Sequence, residues 1–126
     1  MTVDVAGDRV SPTVCYDLRI ADSFTPIAGE TDVYLVVASW PDTRSQHWRT
    51  LLEARAIENQ AYVVGVNRVG SGGGLRYDGG TRIVDPMGVV VASADGNETV
   101  LRADVDPSVV ARVRAELPFI VDRRTD

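Results

Sequence analysis

The sequence predicts an α/β domain, because two apolar runs typical of buried strands flank a segment with helical periodicity. The runs are DVYLVVASW, residues 32–40, and AYVVGVN, residues 61–67. Both are nearly continuous in apolar residues, as expected for strands that are covered on both faces. Between them, apolar side chains recur at helical spacing, at Trp48, Leu51, Leu52 and Ala56. Strand, helix and strand in this order are typical of layered α/β domains.

The elements next to these runs are less regular. Residues 14–16 predict the end of an earlier strand, and the polar stretch that follows, residues 17–30, has only weak helical character. Ser45 is the predicted N-cap of the central helix. Arg49 and Glu53 are four residues apart, so we expect an ion pair on the outer face of that helix.

The second half of the chain has a different character. GSGGG, residues 70–74, predicts a flexible loop. Residues 81–106 predict three strands joined by turns at residues 85–88 and 95–97. PSVVARVRAEL, residues 107–117, predicts a short helix with proline at its first position.

Composition limits the class of protein. A chain of 126 residues with 44% hydrophobic and 25% charged residues is expected to form one compact globular domain over residues 1–126. The net charge of -5, with arginines scattered along the chain, argues against a nucleic-acid partner. A single cysteine gives no internal disulfide, and no apolar run approaches the ~20 residues of a membrane helix. With no signal-peptide pattern in the first residues, we expect a cytoplasmic protein and no membrane partner.

Cys15 is the main candidate for chemistry. It lies where a strand gives way to a turn or helix, where a nucleophile can project from a sheet edge and nearby amides can stabilise an oxyanion. The alternative is a small buried side chain, as free cysteines often are. His47, the only histidine, could activate Cys15 or could have a capping or surface role. One histidine and one cysteine predict no metal site.

Arginine and glycine patterns leave further alternatives. Arg19 could bind a substrate carboxylate through its planar guanidinium, or it could pair with Asp17, Asp22 or Glu58. The glycine loop lacks the Gly-Lys-Ser/Thr ending of a phosphate-binding loop, so it is interpreted as a plain connection. YDGGT, residues 77–81, could allow a ligand to approach the backbone or could form a tight turn.

Three motifs occur in a fixed order along the chain. VCYDLR, residues 14–19, precedes HWRTLLEARAIENQAYVVGVNRVG, residues 47–70, and GGTRIVDPMG, residues 79–88. Together they resemble the nucleophile motif, the following helix and strand, and the hairpin signature of the carbon–nitrogen hydrolase (nitrilase-like) superfamily. The resemblance extends from about residue 13 to residue 124. Residues 36–71 are most similar to the omega-amidases, which hydrolyse 2-oxoglutaramate and related amides.

The resemblance implies a four-layer α-β-β-α sandwich, with this chain supplying part of both sheets. It also implies a Cys–Glu–Lys triad, in which the thiolate attacks an amide carbonyl, ammonia leaves and water hydrolyses the acyl-enzyme. It identifies Cys15 as the nucleophile, the backbone N–H of Tyr16 as an oxyanion donor and Arg19 as a contact for a substrate carboxylate. Trp40 and Asn67 are expected at strand ends near the pocket, as substrate-binding residues. The implied substrate is a small-molecule amide, and the implied reaction uses no cofactor.

The sequence departs from the family pattern in the rest of the triad. The family places its glutamate and lysine well before the cysteine, but none of the 14 residues before Cys15 is Glu or Lys, and the chain contains no lysine. Glu53 and Glu58 follow the nucleophile, where the family does not place its base. We therefore expect the C-terminal half of the family domain, with the N-terminal half missing. The alternatives to an omega-amidase are a non-catalytic truncated remnant or interaction subunit, and a split enzyme completed by a chain that carries Glu and Lys. Uncovered sheet edges would also favour a homo-oligomer.

Overall fold

The computed structural model describes residues 1–123, and Arg124, the expected end of the resemblance, lies outside them. The strands are β1 (Val3–Val5), β2 (Asp8–Val14), β3 (Val33–Ala38), β4 (Tyr62–Asn67), β5 (Val69–Gly72), β6 (Leu75–Val84) and β7 (Val90–Asp95). The α-helices are α1 (Ser45–Asn59) and α2 (Pro107–Glu116), and short 3₁₀ turns span Cys15–Arg19, Ala21–Ser23, Thr25–Glu30 and Asp42–Arg44. Of residues 1–123, no helix combines the length and the apolar character that crossing a bilayer would require.

The strands form one mixed sheet. Its order is β1-β2-β3-β4-β6-β5, and β7 pairs with β6. The central strands β2, β3 and β4 are parallel, and the other pairs are antiparallel. This arrangement confirms the predicted α/β class, but the expectation that the chain contributes to two sheets is wrong for the described residues. Parallel pairing brings the carboxyl ends of β2, β3 and β4 to one edge of the sheet.

Helix α1 covers one face of this sheet. Trp48, Leu52 and Ala56 are buried in a cluster that also contains Tyr34 and Val36 of β3. A glycine in β4 permits the close approach, because a Cβ at Gly65 would lie 2.7 Å from the Leu52 methyl groups. The side chain of Trp48 is also fixed in direction, since its Nε1–H donates to the carbonyl of Gly80 at 2.8 Å.

The other face is covered at one end only. Helix α2 packs Val110 against Val10, Val33 and Tyr62, which are aligned across β2, β3 and β4. Four residues further along each strand, Val14, Val37 and Val66 are aligned in the same way but remain 61%, 49% and 47% exposed. The expectation that both central strands are covered on both faces is therefore wrong at the carboxyl ends of the strands.

Two predictions about α1 are also wrong. Ser45 is the first helical residue rather than the N-cap, and its hydroxyl donates to the carbonyl of Asp42 at 2.9 Å and to the carboxylate of Asp78 at 3.0 Å. Arg49 pairs with Asp95 of β7 at 3.7 Å instead of with Glu53. Both side chains of α1 instead contact carboxylates of β6 and β7, which are distant in sequence.

The glycine-rich region forms a hairpin rather than a flexible loop. Residues 70–72 belong to β5, and Gly73 and Gly74 make the turn with φ values of +59° and +79°. A two-residue hairpin turn with both φ values positive strongly favours glycine. The third strand predicted within residues 81–106 does not form, because residues 98–106 have no regular structure. The helix predicted from Pro107 is confirmed as α2.

Candidate active site

Cys15 occupies a strained position directly after β2. Its φ is +37°, in the left-handed region that costs non-glycine residues about 1–2 kcal/mol. The turn is braced by Asp17, whose Oδ2 accepts a hydrogen bond from the backbone N–H of Val14 at 3.0 Å. Cys15 is partly buried and packs against the main core. A strained, braced cysteine at the carboxyl edge of a parallel sheet has the placement expected of a nucleophile.

A pocket of about 120 Å³ lies next to Cys15. Its walls come from the turn after β2 and from the segment after β3: Cys15, Tyr16, Arg19, Ser39, Trp40, Pro41 and Arg44. Parallel pairing of Val14 with Val37 is what sets these two segments side by side. Four of the five residues singled out from the sequence therefore line one pocket.

Tyr16 lines the pocket and offers a backbone N–H next to Cys15. The residue as a whole is 68% exposed. Its N–H lies in the first turn of the 3₁₀ helix Cys15–Arg19, and N–H groups in a first turn lack acceptors within their own helix. This is the position that a backbone oxyanion donor beside the cysteine would require.

Arg19 is held by an aromatic ring and a histidine. Its guanidinium carbon lies 4.5 Å from the centre of the Trp40 ring, and its Nη2 lies 3.3 Å from Nδ1 of His47. Among residues 1–123, Arg19 has no ion pair with a carboxylate, and Glu58 pairs with Arg55 at 3.2 Å instead. The ion-pair alternative for Arg19 is therefore not realised in the described part of the chain.

Trp40 and Asn67 have different positions relative to the pocket. Trp40 lines it, with its ring 5.5 Å from that of Trp48 and its Nε1–H donating to the carbonyl of Arg44 at 2.8 Å. The buried Asn67 lies behind this wall. Its Oδ1 accepts from the N–H of Trp40 at 2.7 Å, and its Nδ2 donates to the carbonyls of Trp40 and Gly79. Asn67 thus supports the pocket through Trp40 and does not line it.

The electrostatic character of the pocket is cationic. Two arginines, Arg19 and Arg44, line it, and no aspartate or glutamate of residues 1–123 does. The lining therefore offers donors for an anion but no carboxylate base for Cys15. Over the same range, no group of three or more histidine, cysteine or carboxylate side chains is arranged to hold a metal ion.

One residue of this region, Arg44, was missed in the sequence, and His47 makes a contact that the sequence did not predict. Arg44 lines the pocket, whereas His47 is not among the lining residues and contacts Arg19 from the first turn of α1. Neither could be located by periodicity, because their role depends on how α1 begins after the 3₁₀ turn Asp42–Arg44. The only available signal for Arg44 was its place shortly after Trp40, at a strand end.

Comparison with known proteins decides the family. The carbon-nitrogen hydrolase model matches residues 1–115. The chain belongs to the carbon-nitrogen hydrolase family. The match begins and ends earlier than the expected limits of residues 13 and 124.

Individual relatives of this carbon-nitrogen hydrolase chain agree with that assignment. The omega-amidase YafV of Escherichia coli is 44% identical over 118 residues, which are 92% of this chain and 46% of the relative. The 2-oxoglutaramate amidase of Paenarthrobacter nicotinovorans is 42% identical, covering 90% of this chain and 39% of the relative. A CN-hydrolase superfamily protein from Xanthomonas campestris, solved with an arsenic adduct in its active site, has a TM-score of 0.92 at 35% identity. That match covers all of this chain and 51% of the other. The chain thus spans about half the length of the relatives it matches.

Proposed function

We propose that the chain provides the nucleophile and the carboxylate-binding side of an omega-amidase that acts on 2-oxoglutaramate-like amides. The observation that carries this proposal is the shared pocket of Cys15, Arg19 and Trp40. A thiol nucleophile and a guanidinium in one pocket suit a small molecule that carries both an amide and a carboxylate. The similarity to omega-amidase and 2-oxoglutaramate amidase sequences supports the same substrate class.

In the proposed reaction, Sγ of Cys15 attacks the amide carbonyl carbon and forms a tetrahedral oxyanion. The N–H of Tyr16 donates to that oxyanion, and Arg19 holds the distant carboxylate. The C–N bond breaks, the nitrogen takes up a proton and leaves as ammonia, and water then hydrolyses the thioester to release the acid and the thiol. A general base normally contributes about 10²–10⁴-fold to such a step, so the source of the base decides the rate.

The base and the lysine are proposed to come from outside these 126 residues. The chain has no lysine, and none of the carboxylates of residues 1–123 lines the pocket. The exposed apolar patch of Val14, Val37 and Val66 adjoins the Cys15 turn, and Val14, Cys15 and Val37 also line a shallow cavity of about 420 Å³. A segment that covered this patch would reach the cysteine. A second copy of the chain could cover the patch but would bring no lysine.

The alternative is a non-catalytic remnant or interaction subunit. The pocket and the apolar patch also favour this alternative. A pocket without a base can bind a ligand without hydrolysing it, and an exposed apolar patch of this kind marks an interaction site. The alternatives differ in what a partner does. A complementing segment restores turnover in a split enzyme and leaves a remnant inactive.

The deciding experiment measures ammonia release from 2-oxoglutaramate. The chain is assayed alone and together with an N-terminal segment from a family member that carries the glutamate and the lysine. We expect turnover only in the mixture, and none when Cys15→Ala replaces the parent chain. If the two polypeptides bind each other and the mixture stays inactive, the chain is a remnant. Turnover by the chain alone would mean that other residues replace the missing pair.

A further inference from the structure

His47 makes one directed contact with the carboxylate-binding arginine. It lies in the first turn of α1, and its Nδ1 is 3.3 Å from Nη2 of Arg19. A guanidinium has donors and no acceptor, so Nδ1 must accept this hydrogen bond and the ring proton must reside on Nε2. The contact therefore requires a neutral imidazole in one tautomer.

The contact with His47 restrains the Arg19 side chain, which lies between two cavities. Arg19 lines the Cys15 pocket and also a neighbouring open cavity of about 420 Å³, which is lined by Gln46, His47, Thr50 and Leu51. A free arginine side chain has about 2 kcal/mol of rotamer entropy to lose when it is ordered. Trp40 fixes the face of the guanidinium at 4.5 Å, and His47 fixes its Nη2. With both contacts in place, the guanidinium keeps one orientation at the pocket wall.

We propose that His47 is the positioning residue for Arg19 and so sets the preference of the pocket for anionic over neutral ligands. The inference rests on the proposed carboxylate-binding role of Arg19, and it assigns no proton transfer to His47. Trp40 supplies an attractive surface that tolerates sliding, whereas a hydrogen bond to Nη2 selects one rotation of the guanidinium plane. Losing His47 is expected to weaken carboxylate recognition while leaving the reactivity of Cys15 toward neutral reagents unchanged.

Alkylation of Cys15 tests this without requiring turnover. Cys15 is the only cysteine, so each alkylation event reports one site. Its thiolate displaces iodide from iodoacetate or iodoacetamide, forming an S–C bond as the C–I bond breaks. The two reagents differ in a carboxylate against a neutral amide. The ratio of their second-order rate constants, at mildly alkaline pH and fixed ionic strength, therefore measures the preference of the pocket for the anion.

The variants separate the hydrogen bond from other effects of the ring. His47→Ala is expected to lower the iodoacetate-to-iodoacetamide ratio about threefold to tenfold, the range for loss of one hydrogen bond. His47→Asn should restore a ratio near that of the parent, because its amide oxygen can accept in the place of Nδ1. Arg19→Gln should lower the ratio at least as far as His47→Ala. Thr50→Ala, in the same cavity wall, should leave it unchanged, and thermal unfolding verifies that every variant is folded.

Three other results would contradict either the role of His47 or the role of Arg19. If Arg19→Gln lowers the ratio and His47→Ala does not, His47 has no positioning role although Arg19 still binds carboxylates. If His47→Asn falls as far as His47→Ala, the accepting atom is not the cause and the proposal is wrong. If Arg19→Gln leaves the ratio unchanged, the carboxylate site itself is wrong, and this inference fails with it. Absence of ammonia release affects none of these readings, because alkylation needs neither the base nor the lysine.

Discussion

Asn67 holds the backbone of Trp40 from both of its polar groups. Its Oδ1 accepts from the N–H of Trp40 at 2.7 Å, and its Nδ2 donates to the carbonyl of Trp40 at 3.0 Å and to that of Gly79 at 2.7 Å. One buried amide thus joins the chain after β3 to the end of β4 and to β6. The backbone that carries the Trp40 ring is therefore held by a residue that does not line the pocket.

Replacing this amide should destabilise the domain. In Asn67→Ala, buried backbone groups of Trp40 and Gly79 lose their partners, and we expect the free energy of unfolding to fall by about 2–4 kcal/mol. Chemical denaturation measures the change, with Asn97→Ala as the control because Asn97 is exposed. Equal stabilities of the two variants would show that the hydrogen bonds of Asn67 do not contribute to the stability of the domain.

The central elements follow from local sequence, and most of the pocket follows from the family resemblance. The two apolar runs form β3 and β4, and Cys15 follows a strand as its position predicts, whereas the place of Trp40 near the pocket was implied by the family resemblance. The role of Asn67 could not be predicted, because a polar residue at a strand end has the same pattern whether it meets a ligand or a neighbouring backbone.

Other errors have a common physical origin in partners that are distant in sequence. The turn at residues 95–97 predicts a third strand after it, but a strand also needs an edge to pair with and a face to cover, and Val100 remains 79% exposed. His47 was judged from its own helix, whereas its contact depends on the turn that carries Arg19. The glycine run was judged flexible, although consecutive glycines also suit the two positive φ values at Gly73 and Gly74.

The strain at Cys15 predicts that a glycine variant is more stable than an alanine variant at this position, the reverse of the order expected within a helix. With φ at +37°, Cys15→Ala keeps a Cβ in the left-handed region and Cys15→Gly removes it. We expect the glycine variant to be more stable by about 0.5–1 kcal/mol in free energy of unfolding. At Thr50, inside α1, the glycine variant should instead be less stable than the alanine variant by about 1 kcal/mol. The same order at both positions would argue against a strained cysteine.

The ion pair of Arg9 and Asp32 predicts a loss of stability in acid. Burial would raise the pKa of Asp32, but hydrogen bonds from the Arg9 side chain and backbone, together with the charge of Arg9, outweigh burial and lower the pKa. A lowered folded pKa stabilises the protein above the unfolded pKa of about 3.9, and this stabilisation is lost as the pH falls through the folded value.

Asp32→Asn is therefore expected to cost about 1–2 kcal/mol of unfolding free energy at pH 7, and the difference from the parent should shrink below about pH 4. Urea denaturation between pH 2 and 7 measures this difference. Asp104→Asn is the matched control, because Asp104 is exposed. A cost for Asp32→Asn that stays constant down to pH 2 would contradict the charge-based explanation.

The buried phenol of Tyr34 predicts the opposite dependence in alkali. Tyr34 is 0% exposed, and its hydroxyl donates to the carbonyl of Phe24 at 2.8 Å. Burial raises its pKa to about 12. Because the folded pKa lies above the unfolded value of about 10, the contribution to stability is complete below pH 10 and is lost as the pH rises toward 12.

We expect Tyr34→Phe to lower the free energy of unfolding by about 1 kcal/mol at pH 8, through the lost hydrogen bond. Above pH 10 the parent should lose up to about 1.4 kcal/mol per pH unit through this one group, so its stability should first approach that of the variant and then fall below it. Tyr16→Phe, at a largely exposed phenol, serves as the control and should run parallel to the parent. Denaturation curves from pH 8 to 11.5 make the comparison. A constant gap between the parent and Tyr34→Phe over that range would mean that the Tyr34 phenol ionises as readily in the folded chain as in the unfolded one.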